Sequence, residues 1–243
     1  MSGHYMISPE TLVTNIGAPD VPVLIDVCIV EDFALDPRLI PGAFRHPFTS
    51  IETLAPSLKG RDVVIICQKG LKLSQGAASL LRAGGVEAKA LVGGMVHWAM
   101  LDYPAMPAAA LPKARIGAAE DPSPDALAAL WLIKRFARTD AQPLFVATDA
   151  VNAVVDRFNA TPEAPFAEWQ SRFGLTQPAL SQLAKTVTAE TPETAGVTAV
   201  LAGLRTLHPD DLSYLAASLP LFDALHRAFC DVSEKPRRKG EPA

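Results

Sequence analysis

With 243 residues the chain is long enough for one large or two ordinary domains, each with its own core. Hydrophobic residues make up 49% and charged residues 20%, and the formal net charge is −4, a balance that disfavours a nucleic-acid surface as the main activity. No stretch approaches the ~20 apolar residues of a membrane span, and Met1 to Asp20 hold no apolar core of a signal peptide. Three widely spaced cysteines suggest neither a disulfide framework nor a zinc site, and the five histidines do not cluster. No metal and no cofactor are expected, and a reducing cytoplasm is the expected location.

In chain order, Ser8-Pro9-Glu10 reads as a helix start, with Ser8 as cap and Pro9 at the first helical position. Val21 to Val27 forms a short apolar strand that reaches Asp26, and Arg61 to Ile66 a second, rich in β-branched residues. Directly after it comes Cys67-Gln68-Lys69-Gly70-Leu71-Lys72-Leu73-Ser74. A strand thus delivers one thiol into a short, glycine-containing, doubly basic loop, and a helix is expected from Ser74 to Arg82, stopping at Gly84-Gly85. Backbone N–H groups at strand ends and helix N-termini stabilise an anion between them, and a thiol held there loses its proton more easily. Ala88 to Leu91 is a third strand, closed by Gly93-Gly94.

Pro104, Pro107 and Pro112, mixed with alanines, read as a linker running to about Pro124. Beyond it strand signals nearly vanish, except for one short strand at Pro143–Ala147. Asp125 to Arg138 has the spacing of an amphipathic helix. Gly174 reads as the stop of a helix holding Trp169 and Phe173, and Thr191-Pro192-Glu193 and His208-Pro209-Asp210-Asp211 as helix starts. Pro220 should kink or divide a helix from Pro209 to Asp231. The expected organisation is an α/β domain over residues 1–108, a Pro/Ala-rich linker over 109–124, a mainly helical domain over 125–234 and a basic disordered tail over 235–243.

Four motifs of the first half occur in the order of a known family: Leu24-Ile25-Asp26-Val27, Ile40-Pro41-Gly42-Ala43, Cys67-Gln68-Lys69-Gly70, and Leu91-Val92-Gly93-Gly94 followed by Trp98. This half resembles a rhodanese domain, a central parallel sheet flanked by helices. The resemblance implies a sulfurtransferase in which Cys67 carries sulfane sulfur as a persulfide, from thiosulfate or a persulfide donor to a thiol or cyanide acceptor. Gln68, Lys69, Gly70, Leu71, Lys72 and Leu73 would bind the substrate, with Asp26 and Ser74 in support. Two positions depart from the family pattern. Lys72 stands where an arginine is usual, keeping the charge and losing the two-pronged grip on an oxyanion. Cys28 replaces the common arginine after the aspartate. The dual-specificity phosphatases that share the fold have a longer loop, and their phosphate-gripping arginine would fall at Leu73.

The second half resembles the C-terminal domain of ChrB-type chromate resistance proteins. The match rests on Trp131-Leu132-Ile133-Lys134-Arg135-Phe136, Asp156-Arg157-Phe158-Asn159-Ala160, Phe173-Gly174-Leu175 with Pro178-Ala179-Leu180, and Pro209-Asp210-Asp211 with Phe222-Asp223-Ala224-Leu225. The polar residues expected just before the tryptophan are absent; Ala126, Ala129 and Leu130 stand there. The half therefore reads as a scaffold or interaction domain, with self-association through it a further expectation. A competing reading makes the chain a non-enzymatic chromate or sulfate binder with an oxidation-sensitive Cys67. Of the other candidates, Cys28 is either a resolving thiol or merely buried, with nothing basic near it, and Cys230, Trp131 and Trp169 are expected in the core. His97 is expected at the pocket mouth or on a surface helix, and His46 facing solvent.

Overall fold

The computed structural model describes residues 4–189 and 191–234, so the basic tail expected at 235–243 lies outside the described residues. The chain divides into two units, Met1–Leu111 with Lys134–Asp140, and Pro112–Ile133 with Ala141–Ala243.

The first unit runs β1 (Met6–Ile7), α1 (Pro9–Val13), β2 (Val23–Asp26), α2 (Val30–Leu35), β3 (Arg38–Leu39), β4 (Phe44–Arg45), α3 (Ala55–Leu58), β5 (Asp62–Ile66), α4 (Lys72–Ala83), β6 (Glu87–Leu91), α5 (Gly94–Met100) and β7 (Met106–Pro107). Five strands form one parallel sheet in the order β1-β6-β5-β2-β4, while β3 and β7 make a separate antiparallel pair. The sequence dictates the centre: Val63, Val64, Ile65 and Ile66 are buried on both faces of β5, as a strand inside a parallel sheet requires. β2 lies beside β5 with Ile25 opposite Ile65 and Asp26 opposite Ile66. Parallel strands put all their carboxyl ends on one side, where ligands meet open α/β sheets. The two-residue strands β1 and β4 escape sequence reading because they are too short to show a period.

Helix α1 begins as expected, with Ser8 Oγ accepting the Thr11 N–H at 3.2 Å. Helix α4 begins at Lys72, two residues before the expected start, so Lys72 and Leu73 belong to its first turn.

The second unit runs β8 (Arg115–Ala119), α6 (Pro124–Leu132), β9 (Gln142–Val146), α7 (Val151–Phe158), β10 (Thr161–Pro162), α8 (Phe166–Arg172), α9 (Pro178–Thr188), α10 (Pro192–Leu207) and α11 (Asp211–Glu234). Two expectations fail here. The stretch 109–124 is not merely a linker: β8 lies within it and pairs in parallel with β9 and β10. Its small residues, Gly117, Ala118 and Ala119, carry little strand signal and fit because the Val155 side chain packs over Gly117. Helix α6 is not amphipathic, since every residue from Leu127 to Ile133 is buried. It passes into a π-helical turn at Ile133–Ala137.

Pro220 lies inside the uninterrupted helix α11. Tyr214, Leu215, Ser218 and Phe222 on that helix are buried, and this packing holds the helix through the proline against the loss of one hydrogen bond. The helix also starts later than expected, with Asp210 Oδ1 accepting the Ser213 N–H at 2.9 Å. Thr191 caps α10 as its sequence suggests, and Gly174 follows α8 at φ +66°.

Candidate functional site

Cys67 sits one residue beyond the end of β5 and is 4% exposed. Its thiol donates to Ser74 Oγ at 3.2 Å, and the Ser74 hydroxyl lies 3.2 Å from the Leu71 carbonyl oxygen, to which it donates. Ser74 is fully buried in the first turn of α4. A hydroxyl has one proton, so it can turn from Leu71 O to the sulfur once Cys67 ionises.

The loop between Cys67 and α4 is pinned by its carbonyls. Cys67 O accepts the Met95 N–H at 3.1 Å and Gln68 O the Val96 N–H at 3.0 Å, which also satisfies donors at the start of α5. Gly70 O accepts from Gln75 Nε2 at 3.1 Å, and Leu71 O from the Gln75 N–H at 3.0 Å. In a trans peptide the N–H points opposite to the carbonyl. The N–H groups of Gln68 and Lys69 therefore face away from α5, and those of Leu71 and Lys72 away from Gln75. Among the described residues none of these four N–H groups has an acceptor within the protein.

Glycine makes this path feasible. Gly70 has φ +65°, and a Cβ there would lie 2.3 Å from Leu91 O and 2.6 Å from Gly93 N. A Cβ on Gly94 would lie 2.1 Å from Cys67 O. The Cys67 loop and the Gly93-Gly94 turn thus mesh backbone to backbone, and neither admits a side chain.

Asp26 ends β2, the neighbour of β5, and is 1% exposed. Its Oδ1 accepts the Cys28 N–H at 3.1 Å and lies 3.5 Å from Arg45 Nε, while Oδ2 is buried without a hydrogen-bond partner. Burial pushes the carboxyl above its ordinary pKa, outweighing the Cys28 N–H and the Arg45 charge. Burial, reinforced by the Asp26 charge, also drives the Cys28 thiol far above its usual value.

Arg45 is a residue that sequence reasoning missed. Register sets it opposite Asp26 on β4, and its Nη2 donates to Cys28 O at 2.7 Å while the guanidinium stacks 3.8 Å from the Phe33 ring centroid. The expectation that nothing basic neighbours Cys28 is therefore corrected. Only a two-residue strand brings the arginine there, and such pairing leaves no trace in the sequence.

Of the expected site residues, Cys67, Gly70 and Ser74 are buried together, Gln68 and Leu73 are half-buried, and Lys69, Leu71 and Lys72 are exposed. Leu73 packs against the core beneath the sheet. A cleft of about 460 Å³ runs beside the loop, lined by Cys28, Asp32, Phe33, Gln68, Val96 and Met100 among others. His46 is half-buried, with Nε2 3.1 Å from Ser50 O, and His97 is half-buried on α5.

In the second unit Trp131 and Trp169 are buried as expected. Cys230 is only half-buried, with Sγ 3.6 Å from His226 Nε2 one helical turn away, so it is not a core residue. Among the described residues no group of three or more His, Cys, Asp or Glu is placed to hold a metal ion, and no helix is long and apolar enough to cross a membrane.

Comparison with known proteins gives two family matches: the rhodanese-like domain over residues 8–101 and the ChrB C-terminal domain over residues 118–229. Similar solved structures include a rhodanese-like domain protein from Staphylococcus aureus, 26% identical, covering 38% of this chain and 89% of that chain with a TM-score of 0.34. A rhodanese-related protein from Thermoplasma volcanium is 22% identical, covering 41% and 95% with a TM-score of 0.36. Among curated proteins none matches this chain.

Proposed function

Because the chain carries a rhodanese-like domain at residues 8–101 and a ChrB C-terminal domain at residues 118–229, we propose that it is a sulfurtransferase in which Cys67 carries sulfane sulfur. The observation that supports this reading most is the loop itself. A single thiol directly follows β5 and opens a loop whose Gln68, Lys69, Leu71 and Lys72 N–H groups are turned away from α5 and Gln75 and, among the described residues, have no protein acceptor, next to the N-terminus of the twelve-residue helix α4. That arrangement stabilises negative charge on a thiolate or persulfide.

In the first step the Cys67 thiolate attacks the outer sulfur of thiosulfate, or of a donor persulfide. A new S–S bond forms as sulfite, or the donor thiolate, leaves. In the second, cyanide or an acceptor thiolate attacks the outer sulfur of the Cys67 persulfide, and the Cys67 thiolate departs. Ser74 donates to the sulfur whenever it is charged. Lys69 and Lys72, exposed and without a carboxylate partner among the described residues, draw an anionic donor to the mouth. Lysine holds an oxyanion as a point charge, without a bidentate grip, so a persulfide donor suits this site better than thiosulfate. Leu73 offers no charge to a phosphoryl group. The setting we infer is chromate or related oxyanion stress, since the second half is a ChrB C-terminal domain.

The test is thiocyanate formation from thiosulfate, and from a persulfide donor, with cyanide as acceptor. Turnover should vanish in Cys67→Ala. Absence of transfer from every donor, with chromate or sulfate binding that Lys72→Ala abolishes, would instead support an oxyanion-binding protein.

A further inference from the structure

The first unit holds a further cavity, of about 590 Å³, that neither Cys67 nor any residue of its loop lines. It opens beside β4, the edge strand of the parallel sheet, and takes its walls from α3 and the segment Ala137–Asp140. That segment belongs to the first unit and is tied to it where the Gly42 N–H donates to Phe136 O at 2.5 Å. The volume lies within the roughly 300–1,000 Å³ of small-molecule sites.

The cavity has an apolar floor. Val23, Leu39, Leu54, Leu58 and Leu111 line it, with Leu39 and Leu58 fully withdrawn from solvent into the core. Phe44 lines it too, yet its side chain is left 42% exposed. An open aromatic ring on a concave apolar surface offers a stacking face to a second ring.

The independent observation is charge. Three arginines, Arg45, Arg61 and Arg138, line the same cavity against one carboxylate, Asp140. Arg138 is gripped by Asp140 through Nε at 2.9 Å and Nη2 at 2.8 Å. Arg45 is engaged by Cys28 O and Asp26. Arg61 has neither an ion pair nor a side-chain hydrogen bond among the described residues. One guanidinium is therefore uncompensated, and its planar fork suits a carboxylate. An inorganic oxyanion would leave the floor unfilled, a neutral apolar molecule would leave Arg61 unmatched, and a polyanion would meet Asp140.

We propose that this cavity binds a small aromatic monocarboxylate, with the carboxylate on Arg61 and the ring against Phe44. The site stands apart from sulfur carriage at Cys67, and its occupant is not the sulfur donor.

The experiment is calorimetric titration of the full chain with naphthoate, with naphthylmethanol as the uncharged analogue and sodium sulfate as the anion without a ring. Naphthoate should bind at one site and more tightly than either control. Arg61→Gln should weaken naphthoate about fivefold, the scale of an exposed ion pair, and leave the alcohol unchanged. Ser57→Trp, which places a bulky ring in the α3 wall from an exposed position, should abolish binding of both. Circular dichroism checks that the two variants are folded. Cys67→Ala should bind naphthoate as the wild type does, and both cavity variants should take up sulfur at the wild-type rate, so the two sites are tested separately. No naphthoate binding at millimolar concentration overturns the proposal. So do equal affinities in wild type and Arg61→Gln, sulfate binding as tight as naphthoate, or unchanged binding in a folded Ser57→Trp.

Discussion

The Cys67 thiol and the Ser74 hydroxyl meet at 3.2 Å inside the protein, with Ser74 also within reach of Leu71 O. That pair gives the sulfur a neutral partner that can reverse its hydrogen-bond direction. A hydrogen bond to a charged group contributes about 1.5–3 kcal/mol, so Ser74→Ala should slow sulfur uptake by Cys67 roughly ten- to a hundredfold. Single-turnover rates of persulfide formation measure this directly, and an unchanged rate would remove Ser74 from the account.

Gly70 and Gly94 bring two backbone turns into contact that a methyl group would separate. Gly70→Ala meets both the positive φ and the Leu91 carbonyl, and Gly94→Ala meets Cys67 O. Each should destabilise the first unit by at least about 2 kcal/mol, and sulfur transfer should fall even where the variant remains folded. Denaturant midpoints with activity measured on the folded fraction check both halves of this prediction.

Lys72 is exposed, so its contribution to binding an anionic donor should be modest. Lys72→Ala should raise KM for thiosulfate about fivefold, corresponding to ~1 kcal/mol at a screened site, with little change in kcat. Added salt should move the wild type toward the variant. A fall in kcat at constant KM would place Lys72 in the chemistry itself.

Asp26 sets a pH dependence whose sign is fixed by its burial. Its carboxyl is raised in the folded state relative to the ordinary carboxylate value, so the native protein holds that proton more tightly than the unfolded chain. The stability it contributes is complete below the unfolded carboxylate pKa and is lost as pH rises through the raised folded value. The stability difference between wild type and Asp26→Asn should therefore shift in favour of the variant from acid toward neutral pH. Urea midpoints for the two proteins across that range decide it, and a difference that moves the other way contradicts the assignment.

The residues that were legible in the sequence are those whose chemistry is local. The run Val63–Ile66 announces a buried strand by composition, Ser8 and Thr191 announce helix starts by hydroxyl and proline, and Cys67 follows its strand directly. What stayed hidden depends on contacts between distant segments. Arg45 reaches Asp26 only through a two-residue strand, and β8 is a strand because β9 and β10 flank it, although Gly117 and its alanine neighbours have weak intrinsic preference. Pro220 is misleading for the same reason, since packing of Tyr214, Leu215 and Phe222 carries α11 past it. The loop was legible as an anion cradle, but the carbonyl bonds to Met95 and Val96 that orient it required the fold.

The central claim is that Cys67 carries sulfur, and intact-protein mass spectrometry after exposure to a persulfide donor tests it most directly. The wild type should gain the mass of one sulfur, the gain should map to the Cys67 peptide and disappear on adding cyanide, and Cys67→Ala should gain none there. A wild type that stays unmodified with every donor, or a gain of equal size in Cys67→Ala, would contradict the account.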